Sequence, residues 1–361
     1  MNALPGNRLP DSHPAPYDNP VTGPGVWYGP ELENSTAWHY RLTDQEADEI
    51  CAAAGAVRDS GKPLQTLGRD DFPLPNLART IDKLRGYVVN GRGFVLLRGF
   101  PIDGDFDDAA IRYWGLGLHL GCARSQNTRG HLLGHVVDIS DRFENKSERG
   151  YLTARHLTYH CDSVDMVALL CLRQAKAGGL STIVSSHTIH NEIQRRRPDL
   201  AAALYGAVPR NRRDEIPEGK GPWYELPVFN WYEGRLVINY LRSHIDMSQD
   251  LPDAPRISAV LEEALDLVME LANDPALHLS MEFEPGDIQL LHNHQILHSR
   301  TQYEDWPEWE RRRYLLRLWL APPDGVALPD AFAERYGSVT PGDRGGVSIP
   351  GLQTQVPMAA M

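Results

Sequence analysis

Residues 283–300 read FEPGDIQLLHNHQILHSR. Pro285-Gly286-Asp287 is turn chemistry: proline presets φ, glycine takes the left-handed step and aspartate bonds back to the backbone. Ile288–Leu291 then reads as a short apolar strand, and His298 falls just past it. Working outward towards the C-terminus, Arg311-Arg312-Arg313 leads into the apolar strand Tyr314–Ala321. Arg313 and Arg317 lie four apart, so both face one side of that strand. Guanidiniums on an apolar strand are costly unless they meet an anion. The pair is open to two readings, internal salt bridges or a receptor for a dicarboxylate. Towards the N-terminus stands His160-Cys161-Asp162. In an extended strand residues i and i+2 point the same way, so an imidazole and a carboxylate converge on one point. A second histidine would complete a 2-His-1-carboxylate set suited to a divalent iron-like ion with open positions. Context makes His298 the candidate.

The rest of the chain sets the frame. It has 361 residues, 42% hydrophobic and 23% charged, which is ordinary for a globular protein and excludes a disordered chain, a fibre or a coiled coil. No apolar run approaches the ~20 residues of a membrane span, and the first twenty residues lack the apolar core of a secretion signal. The charge of −12, from 36 Lys+Arg against 48 Asp+Glu, disfavours nucleic acid as a partner. Cys51, Cys122, Cys161 and Cys171 are scattered, which fits a reducing cytoplasm better than a disulfide framework.

Residues 1–35 read as an extended or partly ordered arm, 36–325 as one catalytic domain, and 326–361 as a Gly/Pro-rich tail. Thr43-Asp44-Gln45-Glu46 is a capping box opening a helix to about Arg58. Further helices are expected over 75–89, 105–120, 188–205 (interrupted at Pro198) and 258–273. Strands are expected at 93–98, 167–173 and 182–185, with a hairpin around Glu233-Gly234. The expected fold is mixed α/β with a mainly β core flanked by helices. His131/His135 and His187/His190 have helical spacing but lack an HExxH arrangement.

Five stretches in order resemble the taurine dioxygenase/2,4-dichlorophenoxyacetate dioxygenase (TauD/TfdA-like) family of iron(II)- and 2-oxoglutarate-dependent oxygenases: GFVLLRGF, YHCD, GGLSTIVSS, FEPGDIQLLHNHQILHSR and RRYLLRLWL, between Gly91 and Leu320. The resemblance implies a double-stranded β-helix, or jelly roll. It implies that His160, Asp162 and His298 are the catalytic iron ligands and that Arg313 pairs with the distal carboxylate of 2-oxoglutarate. The family's Thr after Gly-Gly-x is matched by Ser181, or by Thr182 if the register slips by one. Arg317 matches a second arginine that reaches the keto-acid end or the substrate. The family's Asp-Asn-Arg before the distal histidine is here His292-Asn293-His294.

The implied reaction consumes O2 and 2-oxoglutarate, releases succinate and CO2, and hydroxylates an unactivated C–H of a small polar or anionic molecule. A carboxylate at Asp162 fills the position that related halogenases leave for chloride, so desaturation is the alternative outcome. Two other rivals are a zinc enzyme at the same triad and a non-catalytic barrel. For the substrate, Gln126 and Asn127 in the polar stretch Ser125–Arg129 and the downstream Arg242 are candidate contacts, with Tyr159, Trp231 and Tyr232 as a candidate apolar wall. A homo-oligomer is left open.

Overall fold

The computed structural model describes residues 6, 17–140 and 150–360. The expected N-terminal arm therefore lies partly outside the described residues. The strands that matter here are β1 (His39–Arg41), β2 (Phe94–Arg98), β3 (Cys122–Ala123), β4 (Leu133–Val136), β5 (Leu157–His160), β6 (Met166–Arg173), β7 (Ser181–Ser185), β8 (Leu279–Met281), β9 (Ile288–His292), β10 (Ile296–Arg300) and β11 (Tyr314–Ala321). A seven-stranded sheet runs β1-β2-β9-β6-β11-β3, with β4 also on β11. A four-stranded sheet runs β8-β7-β10-β5. Pairing is antiparallel except for β1 against β2.

The two-residue period of the strands sorts their side chains between layers. Phe94, Leu96, Leu315 and Trp319 of the large sheet share one core with Ile183, Leu279 and Ile296 of the small one. Val95, Leu97, Leu316 and Leu318 point the other way, onto the helices Asp44–Ser60, Leu77–Asn90 and Phe106–Leu120. Val184 and Leu297 face the helices Ser186–Arg196 and Ala259–Asn273. Helices thus cover both outer faces of a two-sheet core. Both sides of β6 are buried, which is why MVALLCLR reads as an unbroken apolar run. The capping box at Thr43 is present, and Glu233 and Gly234 take φ of 45° and 75° in the tight hairpin between Phe229–Tyr232 and Arg235–Ile238.

Among the described residues, buried packing extends towards both ends. Val21 and Trp27 are buried, and the Trp27 indole donates to the Arg92 carbonyl at 3.0 Å. The boundary at 325 does not end the packed unit. Arg344 is fully buried, its Nε 2.9 Å from both oxygens of Asp165, which also meets His294 Nε2 at 2.7 Å. A buried carboxylate needs such partners, because desolvation alone would push its pKa up; His294 and Arg344 instead hold Asp165 low. Gln355 bonds to Gly130 and Leu132. The glycines and prolines shape a folded clasp over the core.

Burial keeps three histidines neutral: His135 and His187 are held down to about 4 and His292 to about 3. His135 spans the Tyr314 hydroxyl at 2.7 Å and the Pro357 carbonyl at 2.9 Å. Below the unfolded value of ~6.5 the unfolded chain binds more protons than the folded one, so acid favours unfolding. The stability is complete above that pH and drains at about 1.4 kcal/mol per pH unit per group as pH falls towards 4. Unfolding free energies from denaturant titration of the metal-free protein at pH 7 and pH 5 should differ by several kcal/mol, on the order of 6 from these three groups alone. Equal free energies would show that these imidazoles are not buried.

Candidate metal centre

His160 on β5 lies directly opposite His298 on β10, their rings 4.3 Å apart. Asp162 follows β5, and one ligand atom from each of the three residues lies within 4.8 Å of the others. His160 Nε2 is 3.7 Å from Asp162 Oδ1, and His298 Nε2 is 3.9 Å from Oδ2. His160 Nδ1 donates to the Thr158 carbonyl at 2.8 Å, which turns the lone pair of Nε2 inward. Burial above all, then His160, hold His298 down to about 3 against the pull of Asp162, so it is a neutral donor at neutral pH.

The carboxylate is held as firmly. Asp162 Oδ2 accepts from Trp319 Nε1 at 2.8 Å and Arg317 Nη1 at 3.3 Å. Its backbone N–H donates to Asn293 Oδ1 at 3.1 Å. Burial would raise its pKa, but Arg317 and the two imidazoles outweigh that and keep it depressed. Two imidazoles and an ionised carboxylate fit a divalent iron-like ion, with Oδ1 as the available oxygen.

A cavity of about 50 Å³ opens beside the triad, lined by Ser181, His298, Arg300, Arg313 and Arg317. Arg313 Nη1 and both Nε and Nη1 of Arg300 are buried with no hydrogen-bond partner among the described residues. Burial lowers the pKa of Arg313, and holds that of Arg300 down to about 10. The neighbouring Asp305 accepts from the backbone N–H of Arg313 at 2.8 Å. Orphaned guanidinium donors in a dry slot call for an anion, because an uncompensated buried charge costs several kcal/mol. Gly179, at φ +74°, makes room: a Cβ there would lie 3.0 Å from Arg313 Nε.

The alternation of β7 separates the two candidate hydroxyls. Ser181 faces this slot, its hydroxyl 3.1 Å from Gln289 Oε1. Thr182 points to the opposite face, beside Tyr159. The polar loop is committed elsewhere. Gln126 Nε2 donates to the carbonyls of Leu132 and Arg317, while its Oε1 accepts from Arg317 Nε at 2.8 Å. Gln126 is therefore a brace for Arg317. Asn127 Oδ1 closes a turn by accepting from the backbone of Arg129 and His131. Arg242 is taken up by Asp246, Glu262 and Asp266. Trp231 stacks on Tyr17, and Tyr159 packs in the outer core.

Sequence reasoning missed Arg300 and Trp319. A signal existed for each: Arg300 is two residues beyond His298 and Trp319 two beyond Arg317, so each shares its neighbour's face.

Three donors that could hold one metal ion, next to a slot suited to an anion, are the arrangement expected of a non-haem metalloenzyme. The chain belongs to the family described as taurine catabolism dioxygenase TauD, TfdA family, which it matches over residues 60–319. As a member it is a 2-oxoglutarate-dependent non-haem iron dioxygenase. It is 33% identical over 332 residues to FR-33289 synthase of Streptomyces rubellomurinus, covering 88% of this chain and 95% of that one. A taurine hydroxylase-like protein, SAT17 of Stachybotrys chartarum, is 30% identical over 326 residues, covering 82% and 81%. An asparagine oxygenase solved with Fe(II), 2S,3S-3-hydroxyasparagine and succinate is similar at a TM-score of 0.58 and 17% identity, over 78% of this chain and 93% of that one. The non-heme iron oxygenase OrfP with Fe and alpha-ketoglutaric acid gives 0.57 and 15% over the same shares.

Proposed function

We propose that this chain hydroxylates an unactivated C–H of a small polar molecule, with His160, Asp162 and His298 holding iron(II). The two sheets are read as the halves of a double-stranded β-helix, and the place of action as the cytoplasm. Among the described residues no helix is long and apolar enough to cross a membrane. The observation that carries the reading is the buried, unpartnered Arg313 Nη1 beside a ready-made donor set.

Iron(II) held there would supply the oxidising chemistry, with 2-oxoglutarate and O2 as co-substrates and succinate and CO2 as products. The chain's own residues do the rest. Arg313 offers a bidentate charge-assisted grip to the far carboxylate of the keto acid, with Ser181 and Arg300 alongside. Arg317 and Trp319 hold Asp162 Oδ2, which fixes the carboxylate's rotamer and leaves Oδ1 towards the ion. Leu157, Leu169, Phe283 and Leu315 keep the slot dry, which strengthens every charge interaction inside it.

The test is succinate release from 2-oxoglutarate with iron(II) and O2, screened against pools of small molecules with product masses measured. A substrate-stimulated rate with a mass gain of one oxygen is expected. Loss of two hydrogens would indicate desaturation instead. Binding of zinc without dependence on 2-oxoglutarate would overturn the reading.

A further inference from the structure

A second cavity, of about 190 Å³, opens on the other side of the triad. His160, Asp162 and Trp319 line it, so it is where a substrate meets the centre in the reading above, on which this inference rests. Three arginines also line it: Arg213, Arg317 and Arg335. Arg317 is engaged with Asp162 and Gln126. Arg335 is paired with Glu215 at 2.7 Å and donates to the Ser163 hydroxyl at 2.9 Å. The Arg213 guanidinium has no carboxylate and no hydrogen-bond acceptor among the described residues.

The backbone is built to place it there. Arg210 and Arg212 just before it are buried, Arg210 on backbone carbonyls and Arg212 on Glu334. Arg213 then adopts φ +56°, a left-handed conformation that a long side chain rarely takes. Asn211 fixes this turn: its Oδ1 accepts from the Arg213 N–H at 2.6 Å, and its Nδ2 donates to the Met247 carbonyl at 3.0 Å. Met247 lies in the helix Arg242–Ser248, which brings Ser243 and His244 to the same cavity. Unfavourable backbone of this kind persists where the surroundings over-determine it, and such positions cluster at ligand clamps.

We propose that Arg213 is the specificity-determining residue of this enzyme, and that its substrate carries an oxyanion bound there, remote from the carbon that reacts. Carboxylate, sulfonate and phosphonate share the required chemistry: a negative charge spread over oxygens that a planar guanidinium can bridge with two bonds.

The experiment uses full-length protein loaded anaerobically with iron(II) and 2-oxoglutarate. Butyrate, propane-1-sulfonate and propylphosphonate are titrated as probes beside neutral butyramide, following the shift of the metal-to-ligand charge-transfer band. At least one anion should act at a concentration at least about tenfold below butyramide, the scale of one charge-assisted contact. Arg213→Leu should remove that advantage and keep the 2-oxoglutarate band, and Arg213→Lys should keep part of it. Arg242→Leu, whose charge is spent on other carboxylates, should leave the preference unchanged. Butyramide acting as well as every anion, or a Leu variant that keeps the anion preference, would overturn the proposal. If the Leu variant fails to fold, Arg213→Gln takes its place in the same comparison, with the same two outcomes. A wild type that forms no band with iron(II) and 2-oxoglutarate contradicts the co-substrate reading instead. The anion preference is then read by calorimetry of the same probes on the wild type.

Discussion

Asp162→Ala is expected to reduce substrate-dependent succinate formation to background and to weaken iron(II) binding by more than about a hundredfold, since loss of supporting partners alone costs 10–100-fold. Two effects compete for the cause. Removing the carboxylate takes away the one anionic donor of the triad. It also strands Arg317 Nη1 and Trp319 Nε1, both of which donate to Oδ2. A buried charge left unpaired costs about 3–5 kcal/mol, enough to threaten folding in its own right. Thermal melts separate the two. Asp162→Asn is the sharper variant, because it retains an oxygen acceptor while losing the charge. It should fold better than the alanine variant and still bind iron weakly. Full turnover in a folded Asp162→Ala protein would remove this residue from the centre.

Arg313→Ala should raise the concentration of 2-oxoglutarate needed for half-maximal turnover by about ten- to hundredfold. A hydrogen bond to a charged group contributes ~1.5–3 kcal/mol, and 1.4 kcal/mol is a factor of ten. Iron(II) affinity should change much less, because Arg313 is not among the three ligand residues. Anaerobic titrations of iron alone and of the keto acid on the iron-loaded protein measure the two separately. The structure also says where the role goes if co-substrate dependence is unchanged: to Arg300, whose Nε and Nη1 are equally orphaned and whose guanidinium, like that of Arg313, lies over the Tyr303 ring.

The pairing of His160 with Asp162, and of Arg313 with Arg317, was legible because it needs only strand periodicity and residue type. His160 and Asp162 are two apart, and Arg313 and Arg317 four apart, so the sequence alone puts each pair on one side. What brings His298 to them is a cross-strand register, His298 against His160, and no local pattern encodes that. The partners of the candidate substrate residues were hidden for a related reason. Gln126 and Asn127 are polar, but polarity does not say whether a side chain meets a ligand or the protein's own backbone. Here Gln126 reaches Arg317, 191 residues away in sequence. Arg242 meets Glu262 and Asp266 on a separate helix, a pairing that no local pattern encodes. The C-terminal residues looked loose by composition, yet Arg344 finds Asp165, 179 residues earlier. Long-range pairing decided the cases of Gln126, Arg242 and Arg344, and a local turn that of Asn127.

Anomalous diffraction at the iron edge, from crystals grown anaerobically with iron(II) and 2-oxoglutarate, tests the central claim most directly. One iron bound by His160, Asp162 and His298, with the far carboxylate of the keto acid on Arg313, is the predicted result. Iron elsewhere, or a keto acid that does not touch Arg313, would contradict it.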